Sequence, residues 1–220
     1  MWDSTRARLE AAGWTPVAPD LPWDETDRGF ASWADRVLGL VEGDFVPVGT
    51  SMGGYLAFAL WRRAPARIRA LVLVATRATP DTPEAKDGRD ELARLVRERG
   101  PEAVWERNAP RLFAPGTPAE TVEHARRIAL EQPAEALAVT LETIRDRDDA
   151  RPLLAAIDVP VLVVAGDEDR FIPAAEADVL ADGLPQARLV RIPRAGHLPP
   201  LEQPDAFERE LLAFLETVAA

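Results

Sequence analysis

Two spacings of apolar residues alternate along the chain. Residues 68–75, apart from Arg69, and 159–165, apart from Pro160, are aliphatic runs rich in β-branched side chains, the pattern of strands buried on both faces of a parallel sheet. Shorter runs at 45–48 and 187–192 predict two further strands, and 14–18 predicts another, ended by Pro19-Asp20-Leu21-Pro22. Between them the apolar spacing changes to three and four. Phe30, Trp33, Val37, Leu40 and Val41 mark one face of a helix closed by Gly43, and residues 55–64 and 174–184 predict two more. A last helix follows Pro204, a good first helical residue, and runs through Phe207, Leu211, Leu212 and Leu215. The first twelve residues predict a helix with Asp3 or Ser4 as its N-cap and Gly13 as its stop.

Residues 79–149 have a different texture: helical, charged, punctuated by seven prolines from Pro80 to Pro133, and without a strand pattern. The expected architecture is therefore α/β, a doubly wound and mostly parallel sheet built from residues 1–78 and 150–220, interrupted by a helical insertion over 79–149. With 220 residues the chain is long enough for one substantial core.

Charge narrows the partners. A net charge of −11 argues against nucleic acid or an anionic membrane surface. The absence of cysteine excludes disulfides, thiolate metal ligands and a cysteine nucleophile. No apolar stretch reaches the ~18 residues of a membrane span, and the charged first ten residues lack a signal-peptide core, so a cytoplasmic location is expected.

The chemistry-bearing stretch is Val48-Gly49-Thr50-Ser51-Met52-Gly53-Gly54. It lies where a predicted strand hands over to a predicted helix. Small residues at Gly49 and Gly53 would allow a strained turn there, presenting Ser51 at a helix N-terminus. A serine hydroxyl needs a base and a group to orient that base. Of the two histidines, His124 lies on a polar helical face, whereas His197 follows the last predicted strand, where open α/β sheets build their sites. The orienting acid is sought in Ala165-Gly166-Asp167-Glu168-Asp169-Arg170, directly after a buried run; all three carboxylates there are candidates. The cluster Asp146, Asp148 and Asp149 follows no strand and reads as solvated charge.

Ser51, an acid near 169 and His197 stand in the order serine, acid, histidine, each after a different strand. That arrangement resembles the α/β-hydrolase fold family. Ala18-Pro19-Asp20-Leu21-Pro22 is similar to the turn after the family's fourth strand. Ser51-Met52-Gly53-Gly54 resembles its nucleophile elbow, and Ala195-Gly196-His197 with Leu201-Glu202-Gln203-Pro204 its histidine loop. Gly166-Asp167-Glu168-Asp169 resembles its Gly-x-x-Asp acid turn, which selects Asp169 over Asp167. Within the family the chain is most similar to small esterases, perhydrolases and 3-oxoadipate enol-lactonases.

The resemblance implies cleavage of a small ester or lactone through an acyl-serine, with the Met52 backbone N–H as an oxyanion donor. It implies no metal and no organic cofactor. Residues 79–149 would be the cap, with Leu92, Leu95, Val96, Val104, Trp105, Leu112 and Phe113 as candidate wall residues.

One part of the family pattern is missing. Its members open with strands before the first helix, one of them ending in the loop that gives a second oxyanion donor. Met1-Trp2 here stands already at the entrance to that helix. Loss of one such donor costs roughly 10²–10³ in rate. Three accounts fit: Met1 is an internal methionine of a longer natural chain; the chain is a shortened hydrolase that takes its second donor from its first residues; or it is a catalytically silent relative with a binding or assembly role. The missing strand would also leave a sheet edge on which a second copy could pair, giving a homodimer.

Overall fold

The computed structural model describes residues 1–21 and 28–219. Pro22, the last residue of the quoted turn, lies outside the described residues.

The elements run in the order α1 (Asp3–Ala11), α2 (Phe30–Leu40), β1 (Val48–Thr50), α3 (Met52–Arg63), β2 (Leu71–Val74), α4 (Pro83–Arg99), α5 (Pro101–Leu112), α6 (Ala119–Leu130), α7 (Ala134–Arg145), α8 (Arg151–Leu154), β3 (Val161–Gly166), α9 (Ala174–Gly183), β4 (Ala187–Ile192), α10 (Pro199–Glu202) and α11 (Pro204–Ala219). Among the described residues the four strands form one sheet in the order β1-β2-β3-β4. Every neighbouring pair is parallel, with Val48 opposite Val72, Leu73 opposite Val163 and Val163 opposite Leu189. This is a parallel α/β sheet with helices packed on both faces.

The apolar runs divide by strand periodicity. Leu71, Leu73, Val161 and Val163 point into a core with Trp33, Phe58 and Leu180, from α2, α3 and α9. Val72, Val74, Leu162 and Val164 point the other way, onto Phe207, Leu211 and Phe214 of α11. A strand covered on both faces has no polar alternation to show, which is why these two runs read so clearly in the sequence.

The expected strand at 14–18 does not form: those residues follow α1 without regular structure, and Val17 is half exposed. Strand structure needs a neighbour to pair with, and β1 ends the sheet on this side. Prolines at 16 and 19 also remove ladder donors. The N-cap of α1 is Trp2, with no side-chain capping bond, rather than Asp3 or Ser4; Asp3 sits in the first turn, where a carboxylate suits the helix dipole.

The 45–48 run is also shifted. β1 proper covers Val48–Thr50, and Phe45 makes only an isolated bridge to Ile68. Pro47 presents its carbonyl to the Val72 N–H, so its missing donor also faces β2. The pairing accommodates this by placing one more residue on the β2 side between the bridge at Phe45 and the register at Val48, a bulge at the position where the proline has nothing to donate.

Helices α4–α7 lie within residues 79–149, between β2 and β3, with the short α8 after them. Leu92 and Val96 of α4 pack on Ala138 and Leu141 of α7, with Leu95 and Val104 alongside. Their outgoing and returning chain segments are stapled together. The Ala150 N–H bonds to the Ala78 carbonyl at 2.9 Å, and Arg147 reaches the Thr79 carbonyl at 2.9 Å. Arg147 also pairs with Asp81 at 2.9 Å and lies 4.5 Å over the Tyr55 ring. Arg77 and Arg89 complete the pairing around Asp81, whose side chain is fully buried. No helix among the described residues is long and apolar enough to cross a membrane.

Candidate active site

Ser51, Asp169 and His197 follow the carboxyl ends of β1, β3 and β4, and the structure brings all three together. The His197 ring lies between the other two, with Nδ1 2.9 Å from Asp169 Oδ2 and Nε2 2.9 Å from Ser51 Oγ. The Asp169 carboxylate can only accept, so the Nδ1 proton is donated to it and Nε2 is left to accept from the serine hydroxyl. Asp169 Oδ1 meanwhile accepts the N–H groups of Phe171 at 2.7 Å and Ile172 at 2.9 Å, which fixes the carboxylate plane. The Asp169 and His197 side chains are only 5% and 4% exposed, so this pairing is shielded from bulk water.

The elbow is strained. Ser51 adopts φ 52° and ψ −109°, a conformation that side-chain-bearing residues rarely hold. Three bonds hold it: the Ser51 N–H to the Val74 carbonyl at 2.8 Å, the Thr76 hydroxyl to the Ser51 carbonyl at 2.8 Å, and the Gly54 N–H to the same carbonyl at 3.0 Å. The glycines that make the turn possible are Gly49 and Gly54, not Gly49 and Gly53. A Cβ on Gly49 would lie 2.2 Å from the Gly53 backbone and one on Gly54 would strike the Thr76 side chain, whereas one on Gly53 meets nothing within 4 Å. Gly49→Ala is therefore expected to destabilise by about 3 kcal/mol, since rigid backbone cannot yield. Gly53→Ala, inside α3, should be neutral or stabilising by up to about 1 kcal/mol. Urea melts of the two variants check the contrast; equal effects would refute this account of the turn.

Met52 opens α3, so its N–H belongs to the helix-terminal donors that have no acceptor within the helix. The first residues lie elsewhere. Trp2 packs on Phe207 of α11, Thr5 donates to Glu208 at 3.3 Å, and no described hydrogen bond of α1 reaches Ser51.

Among the alternatives, Asp167 is exposed and makes no bond to His197. His124 sits beside Arg127 on the outer face of α6, remote in contact from the serine. Asp146, Asp148 and Asp149 pair with Arg145, Arg62 and Arg151 at the surface. The candidate wall residues separate into two groups. Leu92, Leu95, Val96 and Val104 pack α4–α7 together, while Leu112 and Phe113 reach the histidine loop, where the His197 N–H donates to the Leu112 carbonyl at 2.8 Å. Trp105 packs on Phe113 at 6.0 Å.

Some contacts had no sequence signal. The Phe171 ring packs 4.7 Å from the His197 ring, and the Arg111 guanidinium lies 5.2 Å from the centre of the Phe171 ring. Thr76 clamps the elbow from the end of β2. A cavity of about 550 Å³ is lined by Phe30, Tyr55, Phe58, Arg62, Thr143 and Arg147 among others; Ser51, Asp169 and His197 are not in its lining.

The sequence profile of the alpha/beta hydrolase family matches residues 1–210. The chain is 30% identical to the pimeloyl-[acyl-carrier protein] methyl ester esterase of Pectobacterium atrosepticum, over 98% of this chain and 89% of that protein. It is 31% identical to 3-oxoadipate enol-lactonase 2 of Acinetobacter baylyi, over 76% and 62% respectively. Among solved structures it is similar to a thermophilic esterase from Thermogutta terrifontis with malate bound, with a TM-score of 0.88 and 34% identity, covering all of this chain and 85% of that one.

Proposed function

This chain belongs to the alpha/beta hydrolase family, and from that premise we propose that it cleaves small carboxylic esters or lactones through an acyl-serine intermediate. The observation that carries the reading is the continuous hydrogen-bond chain from Ser51 Oγ through His197 to Asp169, 2.9 Å at each step.

In the proposed reaction Ser51 Oγ attacks the acyl carbon while His197 Nε2 takes its proton. The imidazolium so formed faces Asp169, which holds the Nδ1 proton and stabilises the charge. The carbonyl oxygen, now carrying the negative charge, lies towards the Met52 N–H at the start of α3, where the helix dipole favours an anion. Collapse of the tetrahedral centre breaks the bond to the leaving alkoxide, which takes the proton back from Nε2. Water then attacks the acyl-serine with Nε2 again as base, and the second collapse returns the proton to Ser51 and releases the acid.

On this reading residues 79–149 form a cap over a core made of 1–78 and 150–220. Leu112 and Phe113 are the cap residues nearest the chemistry. The substrate class rests on the named activities of the relatives, an esterase and an enol-lactonase, and a cytoplasmic location is part of the same proposal. The test is covalent labelling by a fluorophosphonate followed by peptide mass mapping. One equivalent of label on the peptide containing Ser51 is expected. Folded protein that takes no label would exclude a serine hydrolase.

A further inference from the structure

Glu202 lies in α10, five residues after His197, and is 6% exposed. The proposed reaction gives it no task, yet its carboxylate is filled with donors. Oε2 accepts from the Ala114 N–H at 2.7 Å, the Thr117 hydroxyl at 2.8 Å and the Gly196 N–H at 3.0 Å. Oε1 shares the Gly196 N–H at 3.0 Å and accepts the Leu198 N–H at 3.0 Å. Gly196 and Leu198 flank His197, whose own N–H is held by the Leu112 carbonyl at 2.8 Å. Three consecutive backbone donors are therefore fixed, two by one carboxylate and one by the end of α5. The same carboxylate grips the segment after α5 at Ala114 and Thr117.

We propose that Glu202 is the positioning residue that holds His197 between Ser51 and Asp169 and ties the histidine loop to residues 112–117. The proposal rests on the triad reading above. Every group that meets the carboxylate is a donor, and they meet both oxygens. A carboxylate satisfies all of them; an amide would turn an NH₂ against donors on one side whichever way it faced. Bonds from N–H groups to an ionised acceptor are also the stronger kind, which suits a group that must set a loop rather than fill space. The loop needs setting, because Arg194 within it stands at φ 57°. A displacement of the 196–198 backbone by about 1 Å would carry Nε2 out of line with Ser51, a misplacement that can cost ~100-fold in rate.

The test compares wild type with Glu202→Gln, both shown folded by circular dichroism, in two measurements. The first is hydrolysis of p-nitrophenyl acetate, where kcat is expected to fall about 100-fold with KM little changed. The second, independent of activity, is the far-downfield proton resonance of the His197 Nδ1–H bonded to Asp169, which is expected to broaden or vanish in the variant. An unaltered resonance overturns the proposal, even if kcat falls, because the loss then arises elsewhere. Absence of the resonance from wild type overturns it too, since no His197–Asp169 bond is there to hold. If wild type gives the resonance but hydrolyses no ester, the functional reading fails alone and Glu202 is judged on the resonance. Should Glu202→Gln not fold, Glu202→Asp, which keeps the charge one methylene short of its donors, is read by the same two measurements.

Discussion

Ser51→Ala is expected to lower kcat on a short p-nitrophenyl ester by about 10⁶-fold, with the far-ultraviolet circular dichroism unchanged. The size follows from the role: every proton transfer proposed for His197 accompanies the making or breaking of a bond at the acyl carbon carried by the serine oxygen, so removing that oxygen silences all three residues at once. The fold should not notice. Ser51 Oγ bonds to His197, but the elbow is held by the Ser51 backbone, through Val74, Thr76 and Gly54. Alanine keeps that backbone and the same positive φ. Equal turnover by wild type and variant would mean that the ester is cleaved elsewhere on the protein. Folded wild type without turnover would favour a silent relative that uses the fold for binding.

The largest effect on stability is expected at Asp81. Its side chain has no exposed surface and meets Arg77, Arg89 and Arg147, the last only 4% exposed. Replacing such a pair by apolar residues can be harmless, but removing one partner strands a buried charge. Asp81→Asn is therefore expected to cost about 3–5 kcal/mol, which for a chain of this size lowers Tm by roughly 10 °C.

The effect has a sign in pH. Burial by itself would raise the Asp81 pKa, but the hydrogen bond and charge of Arg147, followed by those of Arg89, outweigh it and hold the carboxyl below its ordinary range. A carboxyl depressed on folding contributes stability above its unfolded pKa of about 3.9, and that contribution is lost as pH falls through the folded value. The gap between wild type and Asp81→Asn should thus be full at pH 7 and shrink below about pH 4. Urea melts at both pH values decide it; a gap that does not change with pH would remove the charge of Asp81 from the explanation.

The parts of this fold that were legible in the sequence are those fixed by local rules. Strands β2 and β3 are buried on both faces, and their unbroken apolar runs announced it. The setting of Ser51 between a strand and a helix was readable because a sharp turn needs glycine. Which glycine mattered was not readable: Gly49 touches the Gly53 backbone and Gly54 touches Thr76, contacts made only once α3 lies against the sheet. His197 was chosen from two histidines because it follows the last predicted strand, whereas His124 lies on a polar helical face. The choice of Asp169 over Asp167 came from a motif resemblance rather than from physics; in the structure it corresponds to two N–H groups, Phe171 and Ile172, that only the later carboxylate meets. The run at 14–18 was misread because period and propensity describe a strand's faces and say nothing of its edges. Thr76 and Phe171 could not be assigned tasks, since each acts on a residue distant in sequence; Glu202 stood within the quoted histidine-loop stretch, but its bonds to Ala114 and Thr117, 88 and 85 residues away, were not readable.

The interruption of the sheet between β2 and β3 bears on how quickly the chain can assemble. These strands are adjacent in the sheet but separated along the chain by five helices, α4–α8. Closing a flexible loop of roughly 90 residues costs about 4 kcal/mol of chain entropy. Contacts of such high order slow folding because that cost precedes the reward. If α4 and α7 associate first, through Leu92, Val96, Ala138 and Leu141, and Asp81 meets Arg147, the open span shortens to a few short connections. The entropy still to be lost then drops by about 1 kcal/mol, some fivefold in rate. The helices inserted into the sheet are thus also the splint across which its central pair of strands can zip.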